Sequence, residues 1–175
     1  QGQEWLGGKE VVGDCTPALA NVSFGTAPRG DNCRVASTTD DGPANFPLGA
    51  TTGTYTVTDV SGNTATATQV VSVVDNIDPT ITAPAAVSVN VDAGVCTTAL
   101  ANVTLGTPTT GDNCSVASTT NDAPASFPLG ATTVTYTVTD GSGNTATAPQ
   151  VVTVVDNIDP TITAPAPVSV NVKAG

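Results

Sequence analysis

Four cysteines and a set of aspartates are the residues of this chain with the most chemistry to offer, and both recur at a fixed interval. Cys15 and Cys33 lie 18 residues apart, and so do Cys96 and Cys114. Neither pair is spaced as C-x-x-C, and the chain has no histidine, so a zinc site is a poor reading and a disulfide within each pair a good one. Bridges Cys15–Cys33 and Cys96–Cys114 are therefore expected, each contributing roughly 3 kcal/mol by restricting the unfolded chain. Such bridges persist outside the cytosol, which points to an extracellular or cell-surface setting.

The aspartates suggest a hard cation. Asp75 and Asp78, with Asp156 and Asp159 as their counterparts, sit in two copies of Asp-Asn-Ile-Asp-Pro. Joined by a loop carboxylate, they offer oxygen ligands of the kind Ca²⁺ gathers, about six to eight at a time. Asp59, Asp41 or Asp31 can supply that carboxylate in one copy, and Asp140, Asp122 or Asp112 in the other. The competing reading is that these residues shape turns and solvate an acidic surface, since no D-x-[DN]-x-[DN]-G string is present. Asn21 and Asn102 head equivalent glycosylation triplets, and Asn113 heads a third beside Cys114. Catalytic residues are not expected. A nucleophile, a base and an orienting group cannot be assembled without histidine, with the cysteines paired and with Lys9 and Lys173 the only lysines.

What must position these residues is a tandem repeat. Residues 14–94 recur as 95–175 without a gap, and 64 of the 81 aligned pairs are identical. Near-verbatim copies do the same job twice, so the product of the chain is length or multivalency, and a single catalytic centre is disfavoured. Fifteen acidic residues against four basic ones give a net charge of −11, which repels nucleic acid. No apolar run is long enough to span a membrane.

Threonine and valine alternate as on a pleated, half-buried surface. Residues 132–139 put Val134, Tyr136 and Val138 on one face and threonines on the other, and 53–58 is the counterpart. Residues 85–91 alternate likewise, while 150–155 is apolar enough to predict burial on both faces over part of its length. Weaker strands are expected within 96–105 and 116–120, for five to seven per unit. Asp59-Val60-Ser61-Gly62-Asn63 and Asp140-Gly141-Ser142-Gly143-Asn144 read as hairpin turns, and the two Phe-Pro-Leu-Gly strings as strand ends. Phe46, Tyr55, Phe127 and Tyr136 are expected in the core. No helical period is present, so the fold is all-β: two tandem immunoglobulin-like β-sandwiches with an extra C-terminal strand.

The succession GDNC…VAS, FPLGATTVTYTVTDGSGNTAT, QVVTVVDNIDPTITAP resembles the hyalin repeat family over residues 13–175. That resemblance implies extracellular immunoglobulin-like modules, found in tandem and serving adhesion, spacing and architecture. Many members carry cysteines where this chain has Ala67, Ala83, Ala148 and Ala164. The covalent tie between the first strand and a late strand is then missing, and the first strand is free to be exchanged.

The predicted organisation is a non-repeat segment at 1–12, repeats at 13–78 and 79–159, and the opening strand of a further repeat at 160–175. Residues 1–12 do not match the sequence that precedes the second repeat, and Trp5 within them is placed to seal a junction. Thr161, Ile162, Val168, Val170 and Val172 would be the buried positions of a strand donated to another unit. The expected function is a structural subunit or segment of an extracellular filament or stalk, self-associated head to tail, with Ca²⁺ stiffening the joints and glycans attached. A competing expectation from another class is an adhesin module that binds a carbohydrate or protein. Near-identical units favour spacing over recognition.

Overall fold

A computed structural model describes residues 29–32 and 34–171. The N-terminal segment with Trp5, together with Cys15, Asn21, Cys33 and Val172, lies outside the described residues. Among the described residues the fold is all-β, with one short 3-10 turn at Leu100–Asn102.

Three antiparallel strands, β1 (Val35–Asp40), β2 (Gly49–Asp59) and β3 (Thr64–Val73), form one sheet in the order β1-β2-β3. Eight more strands follow between residues 80 and 155, against the five to seven expected for a repeat. They are β4 (Thr80–Thr82), β5 (Val87–Asn90), β6 (Thr97–Ala99), β7 (Thr109–Gly111), β8 (Val116–Asn121), β9 (Ser126–Pro128), β10 (Gly130–Asp140) and β11 (Thr145–Val155). A four-stranded sheet has the order β5-β11-β10-β8, and two ribbons, β4 with β7 and β6 with β9, pack over it.

The alternation read from the sequence sets this packing. Val134, Tyr136 and Val138 of β10 are buried, as are Gln150, Val152 and Val154 of β11. Phe127 of β9 and Val103 meet them from the opposite layer, and Ile81, Val87, Val89, Leu100 and Leu105 close the cluster. The burial of 150–155 is one-sided, contrary to expectation. Val151 and Val155 are about two-fifths exposed, because β11 has strands along both edges but the second layer on only one face.

The hairpin between β10 and β11 turns as expected. Asp140 Oδ1 accepts from the backbone N–H of Ser142 and of Asn144, while Gly143 adopts φ +96, which a side chain would strain. The strand pairing slips between Thr139 and Asp140, and the same irregularity falls between Val35 and Ser37 in the first sheet.

Candidate functional site

The residues with unexplained chemistry collect where the first repeat runs into the second. Asp75 leaves β3 and lies against the loop before β8. Its Oδ1 accepts from Ile77 N at 3.1 Å and from Asn113 Nδ2 at 3.4 Å. Asp112 faces it, with Oδ2 accepting from Cys114 N and Ser115 N, both at 2.8 Å. Each aspartate keeps one oxygen, Asp75 Oδ2 and Asp112 Oδ1, that is buried and makes no hydrogen bond. A buried carboxylate oxygen with no donor is costly unless something else supplies positive charge. Ligand-type atoms of Asp75, Asp112 and Cys114 fall within 4.8 Å of one another; Cys114 is disulfide-bonded, so the two carboxylates are what this group could offer a metal ion.

The joint is clasped from the other side by Asn144. Its Nδ2 donates to the carbonyls of Asp75 at 3.2 Å and Ile77 at 3.3 Å, and to Asp140 Oδ2 at 2.7 Å. One side chain at the tip of a hairpin therefore fixes the path of the incoming linker. Asp140, 2% exposed, is the base of that clasp. Burial works against its ionisation, but the donors of Asn144, Ser142 and Gly143 prevail and hold its pKa below the ordinary 3.8. Asp59 repeats the arrangement in the first hairpin, where hydrogen bonds from Asn63 are the main cause of a lowered pKa.

Beyond the joint, the linker becomes the opening strand of the second repeat. β4 pairs with β7, Ile81 opposite Thr110. β5 then adds in parallel to β11, with Val87 opposite Val152 and Val89 opposite Val154. Gln150 locks this addition. Its Nε2 donates to Ala85 O and Leu105 O, both at 2.7 Å, and its Oε1 accepts from Tyr136 OH at 3.0 Å. Burial pushes the Tyr136 phenol above its usual 10.0. In the sequence Gln150 is one polar residue heading an apolar run, and nothing local marks this role.

The other residues singled out from sequence fall in different places. Asp78 is exposed and outside the metal-capable group. Asp156 and Asp159 are exposed, and Asp156 Oδ1 accepts from Ile158 N at 3.0 Å. Asp41 and Asp122 receive the backbone N–H of Thr54 and Thr135. Asp31 Oδ2 accepts from Arg34 N at 2.9 Å. Asn102 is exposed in the 3-10 turn, with Nδ2 donating to Asp92 Oδ1. Asn113 is half-buried in the joint. Thr161, Ile162, Val168 and Val170 belong to an exposed segment with no strand partner among the described residues. Ile162 is 97% exposed and Val168 87%.

The expected Cys96–Cys114 bridge does not form. Cys96 is free and exposed, whereas Cys114 is disulfide-bonded, so the two are not partners. Geometry explains this. Cys96 precedes β6, whose partner β9 leads into the start of β10. Cys114 precedes β8, which pairs with the far end of β10 at Asp140. The length of β10, roughly 30 Å, lies between them, against the ~6 Å between Cα atoms that a disulfide tolerates.

Residues 74–155 match the family model of the HYR domain. Hyalin of Strongylocentrotus purpuratus is 39% identical over 127 residues, a stretch covering 69% of this chain and 10% of that protein. Hyalin of Lytechinus variegatus is 40% identical over 127 residues, covering 69% of this chain and 24% of that protein. The chain thus spans well under two thirds of the length of these relatives.

Proposed function

We propose, from the premise that residues 74–155 belong to the HYR domain family, the hyalin repeats, that this chain is a structural segment of an extracellular filament or stalk. The family is one of non-enzymatic modules. Here the joining element is a β-strand passed from one unit to the next.

The observation that carries this reading is a sequence that occurs twice in two states. Residues 80–90 and 161–171 differ at one position, Ala86 against Pro167. The first copy is built into the second repeat as β4 and β5, with Val87 and Val89 against the core. The second copy is exposed along its length. A stretch that already pairs in one setting carries all it needs to pair in another. Burying Ile162, Val168 and Val170 would return roughly 1.5–3 kcal/mol per side chain before ordering costs.

The acceptor on this reading is β3 of a neighbouring copy. Among the described residues β3 pairs only with β2. Val71 and Val73 are half-buried there, where their counterparts Val152 and Val154, with β5 alongside and the second layer over them, are 0% and 2% exposed. Shifting the β5–β11 register by the repeat interval sets Val168 opposite Val71 and Val170 opposite Val73. Strand addition of this kind is head to tail, and it extends as a line of units wherever the rotation between neighbours does not close into a ring.

The ion at the joint is on this reading Ca²⁺. Cys114 is in a disulfide and supplies no thiolate, which leaves carboxylate oxygens as the ligands, the chemistry of a hard cation. No helix among the described residues is long and apolar enough to cross a membrane; the likeness to hyalin and the disulfide at Cys114 support an extracellular location.

The test is removal of residues 161–175. Electron microscopy and sedimentation at matched concentration should show rods or filaments for the intact chain and single units for the shortened one. Filaments that persist without the segment would sink strand complementation.

A further inference from the structure

The two cysteines of the second repeat stand at opposite ends of it. Cys114 is at the entry end, before β8, where its Sγ lies within 4.8 Å of a carboxylate oxygen of Asp75 on the incoming linker. Cys96 is at the exit end, in the turn between β5 and β6. Val91, at the start of that turn, donates its N–H to the carbonyl of Val155, the last residue of β11, at 3.1 Å. Beyond Val155 the outgoing linker runs past the same turn, and the two border an open cleft of ≈ 520 Å³. Val91, Val95 and Cys96 line it from the turn, and Asp156, Ile158 and Pro160 from the linker.

An exposed thiol is not a site by itself. The completed joint inside the chain shows what this one meets. Cys114 is disulfide-bonded and Cys96 is free. With four cysteines in all, the partner of Cys114 is Cys15 or Cys33, both in the first repeat and both outside the described residues. A covalent bond therefore already crosses from one repeat to the next. The repeat register points to Cys15. Cys96 shares its cleft with Asp156, and the same pair one repeat earlier is Cys15 with Asp75. Cys114 lies against that very Asp75. Cys33 does not fit, being the counterpart of Cys114 and so a residue of the entry end.

We propose that Cys15–Cys114 is the first bridge of a series, and that Cys96 is the outgoing half of the next, closed by Cys33 of a following copy. The proposal rests on the strand-complementation reading and adds the chemistry that makes the joint permanent. Docking 161–171 onto β3 of the next copy sets the first repeat of that copy against Asp156 as the second repeat sits against Asp75. Cys33 then takes the place beside Asp156 that Cys114 has beside Asp75, at the cleft that Cys96 lines. The bond forms by exchange with a low-molecular-weight disulfide. The Cys96 thiolate attacks one sulfur of that reagent and expels a thiol, and the Cys33 thiolate then attacks the Cys96 sulfur of the mixed disulfide and expels the second thiol. Two protein thiols give up two protons and two electrons, and one small disulfide is reduced to two thiols. An oxidising compartment outside the cytosol supplies the reagent. Each copy has one outgoing and one incoming thiol, so the bonds run on from copy to copy.

The experiment is incubation of the intact chain at micromolar concentration with glutathione disulfide, followed by denaturing electrophoresis without reductant and by peptide mapping, beside sedimentation velocity in native buffer. A ladder of covalent multimers is expected, lost in dithiothreitol, with Cys96 joined to Cys33 and Cys15 to Cys114. Docking holds the two thiols at an effective concentration in the millimolar range, so bridging should run about a hundredfold faster or more than in a chain lacking residues 161–175. Cys96→Ser keeps one free thiol and should stop at dimers, while its association in sedimentation is unchanged. Association without a ladder, or a map that joins Cys114 to Cys96 or to Cys33, would overturn the covalent lock and leave strand complementation standing. An intact chain that sediments as single units, or cross-links at the same rate without residues 161–175, would bring down strand complementation and the lock with it.

Discussion

Gln150 of β11 takes the hydroxyl of Tyr136 on the adjacent strand β10 at 3.0 Å, while its amide holds Ala85 O and Leu105 O at 2.7 Å each. Both side chains are 2% exposed. The glutamine is therefore a buried pin through three elements: the segment entering β5, the loop before β7 and the neighbouring strand β10. Replacing it with leucine takes the amide away from both carbonyls and leaves the Tyr136 hydroxyl only its longer bond to Gly106 O at 3.5 Å. Gln150→Leu should cost about 2–4 kcal/mol in urea unfolding. In the first repeat, Gln69 makes the equivalent bond to Tyr55 at 2.8 Å, but both residues are only half-buried. Water can replace that bond, so Gln69→Leu should cost about 1 kcal/mol or less. Equal losses would mean that the opening strand is not pinned through Gln150.

Asp140 should make the protein sensitive to acid. Its pKa lies below the ordinary 3.8 in the folded protein: burial opposes ionisation, and the hydrogen bonds of Asn144, Ser142 and Gly143 outweigh it. A depressed carboxylate contributes stability above its unfolded pKa and loses it as pH falls through the folded one. Asp140→Asn should thus be less stable than the parent at neutral pH, with the gap narrowing between about pH 5 and about pH 2. A gap that stays constant over that range would show that Asp140 acts through shape alone and that its charge is immaterial.

Much of the scaffold was legible because its code is local. The alternation of Val134, Tyr136 and Val138 against threonines put β10 on the page within two residues at its start and one at its end. The hairpin at Asp140 was equally plain, since Gly143 and the Asx bonds of Asp140 act within five residues. β4, β7 and β9, of three residues each, are too short for alternation to register. They exist because ribbons across the core pair them. The joint was half-legible: Asp75 was marked as a ligand and Asp112 as one of three loop carboxylates, but only the fold chooses Asp112. Asn144, whose amide reaches 69 and 67 residues back along the chain, had no local signal at all.

Cysteine spacing misled for the same reason. An interval of 18 residues says nothing about distance when the chain between crosses the sandwich from end to end. Cys96 is exposed and unbridged, so it should react with a maleimide in native buffer, to one label per chain on the peptide that contains it. Cys96→Ser should leave the urea midpoint within about 0.5 kcal/mol of the parent, as for other surface substitutions. Labelling that needs denaturant or reductant would restore the intra-repeat bridge.

The calcium reading of the joint makes a prediction that separates the two aspartates of the linker. Asp75 meets Asp112 and keeps a buried oxygen without a donor, whereas Asp78 is exposed and outside the group. A ligand that binds only the folded state stabilises by RT ln(1 + [L]/Kd), about 2.7 kcal/mol when calcium stands at a hundred times Kd. The melting midpoint of the intact chain should therefore rise in calcium and fall back in EDTA. Asp78→Asn should keep that response. Asp112→Asn should lose it, and in EDTA it should melt no lower than the parent, because removing one of two facing carboxylates relieves the repulsion that the ion had offset. If Asp112→Asn instead melts well below the parent in EDTA, its carboxylate serves chiefly to hold Cys114 N and Ser115 N, and the joint is a hydrogen-bonded turn with no role for a cation.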